Sequence, residues 1–219
     1  MVALQRLEKP APYTAPNSAG TFYRSMTHAW SGLLYTVMHQ RNMRMHLISA
    51  LLVAQVGQGI PLGLAEKVTM LFCVMLILFA EMLNSALEQL VDLAIQQFDE
   101  KAKLTKDIAA AGVLVLAIGT VVIFAAILVH NAETIFANPT AITRQVIVGV
   151  PLTFLGGALM HESKKPAWLD VLFGLAALGV WGASLEWTQS YVFWAMTLGL
   201  LVVMANAAYL RQRSRSNQP

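Results

Sequence analysis

Three carboxylates, an amide and a hydroxyl recur in one short stretch of the sequence: Glu81, Asn84, Ser85, Glu88 and Asp92 in EMLNSALEQLVD. Their spacing of i, i+3, i+4, i+7 and i+11 puts them on a single helix face. The ten residues before them, LFCVMLILFA, are apolar. A carboxylate inside a bilayer is costly and normally turns toward a protein interior or a watery cavity. Three on one stripe with Asn and Ser read as a functional site rather than a structural network. Such a stripe suits two kinds of chemistry. It can hold a hard divalent cation such as Mg²⁺, which prefers oxygen ligands, and one member can act as general base toward a hydroxyl held at the membrane surface. The following segment, QQFDEKAKLTKD, brings Lys101, Lys103 and Lys106 to the same region. These suit a phosphate-bearing substrate, although anionic lipid explains most juxtamembrane lysine clusters. No GxxxxGK[ST] sequence and no Gly-rich kinase loop occurs, so a nucleotide has to be held in another way.

The stripe needs a membrane bundle to position it. Of 219 residues, 57% are hydrophobic and 12% charged, about half the charge of an ordinary soluble domain. A hydrocarbon core of ~30 Å takes about 20 apolar residues in a helix. Six candidate spans follow: 45–64, 68–93, 108–129, 145–160, 167–185 and 191–210. The first is the weakest, because it contains Gln55 and Gln58; the fourth is short and holds Pro151. With the N-terminus inside, thirteen Lys and Arg residues fall on the cytoplasmic side and only Lys67 and Arg144 outside. The positive-inside rule therefore supports six spans with both termini cytoplasmic. The net charge of +3 is too small to indicate nucleic acid.

Ahead of the first span, Phe22, Met26, Ala29, Trp30, Leu33 and Val37 recur at helical spacing. Residues 21–38 read as an amphipathic helix in the cytoplasmic interface. Residues 1–20, with three prolines and no apolar run of signal length, read as a disordered leader. The single cysteine, Cys73, lies in an apolar run and reads as a small buried hydrophobe. Character changes at residues 131–143, beyond which the embedded positions carry almost no charge. This divides the chain into a three-span module over residues 21–130 and a second three-span module over 131–219. In the second, Gly149, Gly156, Gly157, Gly174, Gly179 and Gly182 suggest close helix approach. Trp168, Trp181, Trp187 and Trp194 include interface anchors, and His161, Glu162, Lys164 and Lys165 form a polar loop.

The string E-x-x-N-S-A-x-E-x-x-x-D from Glu81 to Asp92 resembles the signature of the prokaryotic diacylglycerol and undecaprenol kinases. Ala29, Gly32 and Leu33 in HAWSGLLY resemble that family's interfacial helix. Asn42, Arg44 and His46 in QRNMRMH resemble the entry to its first span, and Lys106 and Asp107 in TKDIAAAGVLV the start of its third. Order and spacing agree over approximately residues 20–130. The resemblance implies a homotrimer of three-span subunits in the bacterial inner membrane, with sites shared between neighbouring subunits. It implies transfer of the ATP γ-phosphate to a membrane lipid alcohol, diacylglycerol or undecaprenol, at the cytoplasmic face. By motif position Glu81 is the general base, with Asn84 in the catalytic hydrogen bonding. Glu88 holds the Mg²⁺, and Asp92, Lys106 and Asp107 lie on the nucleotide side. The family's second metal carboxylate corresponds to Gln40, an amide that can ligate Mg²⁺ but brings no charge. Two other readings compete: a kinase-derived scaffold that has lost catalysis, with Gln40 as its trace, and a cation transporter. Against transport, the carboxylates cluster toward one end of their helix instead of near mid-bilayer.

Overall fold

A computed structural model describes residues 22–162 and 165–216. The expected leader, Thr21 and Lys164 of the polar loop lie outside them. Every regular element among the described residues is helical. α1 spans Phe22–His39, α2 Arg41–Gly59, α3 Leu64–Ala94 and α4 Glu100–His130. A short α5, Ala132–Ala137, precedes α6, Pro139–Met160. α7, Ala167–Ala183, runs into a 3₁₀ turn at Ser184–Trp187, and α8 covers Tyr191–Ser216.

Five of these helices are long and apolar enough to cross a membrane: α3, α4, α6, α7 with its 3₁₀ turn, and α8. The expected first span differs. It begins earlier than the apolar pattern suggested, at Arg41, and stops at Gly59. The stop has a local cause: Pro61 disfavours helical geometry in the residue before it, and Ile60 is extended. The 19 residues of α2 could cover about 28 Å, but Arg41, Arg44, His46, Gln55 and Gln58 keep its composition polar.

Much of that polarity is inside the bundle: Arg41 is exposed and His46 half-buried, but Arg44, Gln55 and Gln58 are buried. α2 packs against α1, α3, α6 and α8, and Met43, Leu47, Leu51 and Ala54 are essentially inaccessible. Gln55 and Gln58 each donate to the hydroxyl of Thr197 on α8, at 3.1 and 2.8 Å, and Gln145 of α6 donates to Gln55 at 3.0 Å. Buried amides are tolerable when bonded to each other, so the residues that weakened the span in sequence tie three helices together. Two glycines make the approach possible. A Cβ on Gly57 would sit 2.4 Å from the Phe193 ring, and one on Gly156 2.6 Å from Leu51. Gly149 also faces Gln55 closely, whereas Gly157, Gly174, Gly179 and Gly182 have no neighbour within 4 Å of a Cβ. The small-residue reading thus holds for Gly149 and Gly156 of α6 and fails for Gly157 and for α7, whose glycines meet open space. Trp181 and Trp194 stack at 4.0 Å, each indole donating to the other residue's carbonyl.

α1 divides along its length. Phe22, Met26 and Trp30 are exposed, while Leu34, Thr36 and Val37 are buried in the bundle. α4 packs mainly along α3, and large apolar residues on both, including Phe79 and Val122, face outward. In space α2 lies between the two halves and shares one core with α6 and α8.

Candidate active site

The α3 stripe grades from core to surface. Glu81, Asn84 and Ser85 are 1%, 3% and 1% exposed; Glu88 is half-buried and Asp92 exposed. The gradient follows from position, because Glu81 faces packed helices and the last turn of α3 emerges from the bundle. Both Glu81 oxygens, Asn84 Oδ1 and Ser85 Oγ are buried without a hydrogen-bond partner among the described residues. Polar atoms so placed are costly unless something engages them. They form a polar lining one turn and more inside the bundle from Glu88.

Glu88 is the meeting point. Its Oε1 accepts from Asn84 Nδ2 at 3.1 Å and its Oε2 from Gln40 Nε2 at 3.2 Å. Gln40 is the one residue between α1 and α2, and its extended backbone turns the chain there. The elbow brings its side chain across to α3. One turn beyond Glu88, Asp92 pairs with Lys106 of α4. Asp99 caps α4 by accepting from the Ala102 N–H at 2.9 Å, which starts the helix where Lys106 falls opposite Asp92. Asp107, the next residue, is exposed and stands outside these bonds.

Of the site residues expected from sequence, Gln40, Asn84 and Glu88 therefore converge. Asp92 and Lys106 form a second pair, Glu81 lies deeper on the same face, and Asp107 alone is set apart. Among the described residues no three His, Cys, Asp or Glu side chains gather as a metal cage. Glu88 with the Gln40 amide still fits Mg²⁺, which takes one or two protein oxygens and completes its shell with phosphate and water. Reversing the Gln40 amide presents its oxygen to the same place, since the two ends are equivalent in shape.

One contact is not marked in the sequence, although Arg44 itself is a motif residue there. Arg44 of α2 pairs with Glu162 at 2.8 Å and donates to the Met38 carbonyl at 2.9 Å. Glu162 had been read only as part of a polar loop. The available signal was that both lie at the same predicted end of the bundle. That end collects Glu88, Asp92, Lys106, Arg44 and Glu162, while Asn131 bonds Glu66 at 2.6 Å at the opposite one.

The sequence profile described as prokaryotic diacylglycerol kinase matches residues 27–128. A diacylglycerol kinase of Synechocystis sp. is 34% identical over 122 residues, covering 55% of this chain and 67% of that one. An undecaprenol kinase of Bacillus subtilis is 31% identical over 102 residues, 47% of this chain and 83% of its own. The Escherichia coli K12 diacylglycerol kinase is 27% identical over 95 residues, 43% and 78% respectively. No solved structure matches the chain. The matched profile contains α2, α3, the Glu88 cluster and Lys106, and ends before α5.

Proposed function

The chain belongs to the prokaryotic diacylglycerol kinase family, and from that premise we propose that it transfers the γ-phosphate of ATP to the hydroxyl of a membrane lipid. The observation that carries this reading is the graded stripe on α3. An unbonded buried carboxylate at Glu81 leads outward to Glu88, held by Gln40 and Asn84.

Glu81 accepts the lipid hydroxyl proton as the hydroxyl oxygen attacks the γ-phosphorus. The bond from that phosphorus to the bridging oxygen breaks, and ADP leaves with its electron pair. Burial keeps water from competing for the phosphoryl group. Asn84 fixes the Glu88 rotamer from one turn below. Glu88 and Gln40 would hold Mg²⁺, which when bound neutralises charge on the nucleotide phosphates. Lys106, oriented by Asp92, gives the outer part of the site a cation for a phosphate; Asp107 lies beside it on the solvent side.

This chemistry belongs at the cytoplasmic face of a bacterial inner membrane, where ATP is found and where the Lys and Arg excess falls under the positive-inside rule. In this reading α2 counts as a sixth span, shielded from lipid by its neighbours, and both termini are inside. The exposed half of α1 lies in the interface. The exposed apolar faces of α3 and α4 suit both lipid and neighbouring copies, as a homotrimer with shared sites requires. Diacylglycerol and undecaprenol both remain substrates to test, because the relatives bear both names.

One observation favours a second reading. Gln40 contacts Glu88 but brings no charge, which suits a kinase-derived scaffold with weakened catalysis. Transfer of labelled phosphate from ATP to each lipid by the purified protein separates the two. Incorporation above a Glu88→Gln control supports the kinase; none with either lipid across millimolar Mg²⁺ supports the scaffold.

A further inference from the structure

The second half of the chain supplies no group to the proposed reaction, yet it grips the frame of the site. Arg44 is the point of contact. It lies in the first turn of α2 and is 9% exposed, and its guanidinium reaches two ways. One nitrogen donates to the carbonyls of Met38 at 2.9 Å and Val37 at 3.4 Å. These are last-turn carbonyls of α1, which no intrahelical N–H can pair. The other nitrogen pairs with the Glu162 carboxylate at 2.8 Å.

Between α1 and α2 stands Gln40 alone. Its N–H donates to the Thr36 carbonyl at 2.8 Å and its side chain to Glu88 at 3.2 Å. Arg44 therefore holds the elbow whose single linking residue faces Glu88. Glu162 is itself held. Arg211 of α8 donates to the carbonyls of Leu159, Met160 and His161 at 2.8, 3.3 and 2.9 Å, and Arg215 to that of Glu162 at 2.9 Å. An unbroken series of contacts runs from the end of α8, through the end of α6, to Arg44, the elbow, Gln40 and Glu88.

We propose that Glu162 is a positioning residue for the phosphoryl-transfer site. Through Arg44 it sets the angle between α1 and α2, and with it the placement of Gln40 against Glu88. The second half of the chain thereby tunes the metal side of the reaction centre. The proposal rests on the lipid-kinase reading for its catalytic consequence, but the clamp itself does not. The Arg44 and Glu162 side chains are 10% and 59% exposed. A pair so open on one side adds little to folding stability, and Arg44 keeps both carbonyls when Glu162 is neutralised. A planar guanidinium fixed at one edge orients its other edge, so loss of Glu162 acts on geometry.

The test compares Glu162→Gln with Glu186→Gln, which removes the same charge at an exposed position on the 3₁₀ turn. One readout is the Mg²⁺ concentration for half-maximal phosphate transfer, with the lipid KM measured alongside. The other is the distance between spin labels at Ser31 on α1 and Leu90 on α3, in a full-length Cys73→Ala background. Glu162→Gln is expected to raise the Mg²⁺ requirement about three- to five-fold, leave the lipid KM unchanged and broaden the distance distribution. Glu186→Gln is expected to move none of these. A distribution as narrow as the parent's overturns the clamp, whether or not any version transfers phosphate. A broadened distribution with an unchanged Mg²⁺ requirement in an active enzyme overturns the link to Gln40. Absence of transfer in every version removes the kinase reading and the metal half of this proposal, and the distance measurement then decides the clamp alone.

Discussion

Gln40 and Glu88, 48 positions apart in sequence, meet through a 3.2 Å hydrogen bond from the amide to the carboxylate. The contact joins the α1–α2 elbow to the α3 stripe and puts the site's one conspicuous departure from the family pattern beside its central carboxylate. A glutamine elsewhere on the elbow would be incidental; in the proposed site it sets how much negative charge a cation would meet.

Glu81→Gln separates basicity from shape. The amide is nearly isosteric and stays polar, but cannot take the lipid proton. Turnover should fall by about 10² or more, with nucleotide binding retained by equilibrium dialysis. Near-normal turnover would remove Glu81 from the role of base.

The bundle's direction is open to reporter fusions. A reporter after Pro219 and a tag within residues 162–166 should be cytoplasmic, and a tag near Asn138 external. This follows from counting α2 as a span. An external reporter at the end of the chain would make the number of crossings odd. α2, which lacks the apolar composition of the other five, would then be reassigned first.

Thr197→Val tests the polar knot in the core. Valine keeps the shape, but leaves the Gln55 and Gln58 amides without the oxygen to which both donate. Thr197 is fully buried, so water cannot replace it. Stability in detergent should drop by about 1–3 kcal/mol, read as a lower midpoint of denaturation. An unchanged midpoint would mean that the knot specifies helix pairing without stabilising it.

That knot also marks how far sequence reading reaches. Long apolar runs announced six spans, five of which are helices long and apolar enough to cross a membrane, and the 3.6-residue period placed Glu81 to Asp92 on one face. Both are local signals. Gln55 and Gln58 read only as a cost, because the compensating Thr197 lies 139 positions or more away. Gly57 and Phe193 fit each other through contact in space, which glycine frequency does not encode. Gly174, Gly179 and Gly182 looked like contact residues and meet open space. The site was legible where a motif is contiguous, on α3. It was illegible where Arg44 reaches Glu162, since an ion pair between distant segments leaves no mark on either.

Restoring the carboxylate by Gln40→Glu probes the metal side directly. Without a cation, this change places two carboxylates where one amide now donates to Glu88, so the empty site becomes less favourable. With Mg²⁺ between them the same two charges become ligands, and affinity rises on both counts. A gain of ~1–2 kcal/mol, the size of a charge-assisted contact, corresponds to an about five- to thirty-fold lower Mg²⁺ concentration at half-maximal activity. The lipid KM should not move, because the substitution changes charge at the elbow and alters no apolar surface. If the natural protein is a scaffold with weakened catalysis, the substitution should raise phosphate transfer from near background. The deciding measurement is a magnesium titration of phosphate transfer for both versions at saturating lipid. An active Gln40→Glu enzyme with an unchanged or higher requirement would place the metal away from Gln40. The 3.2 Å contact with Glu88 would then be structural only.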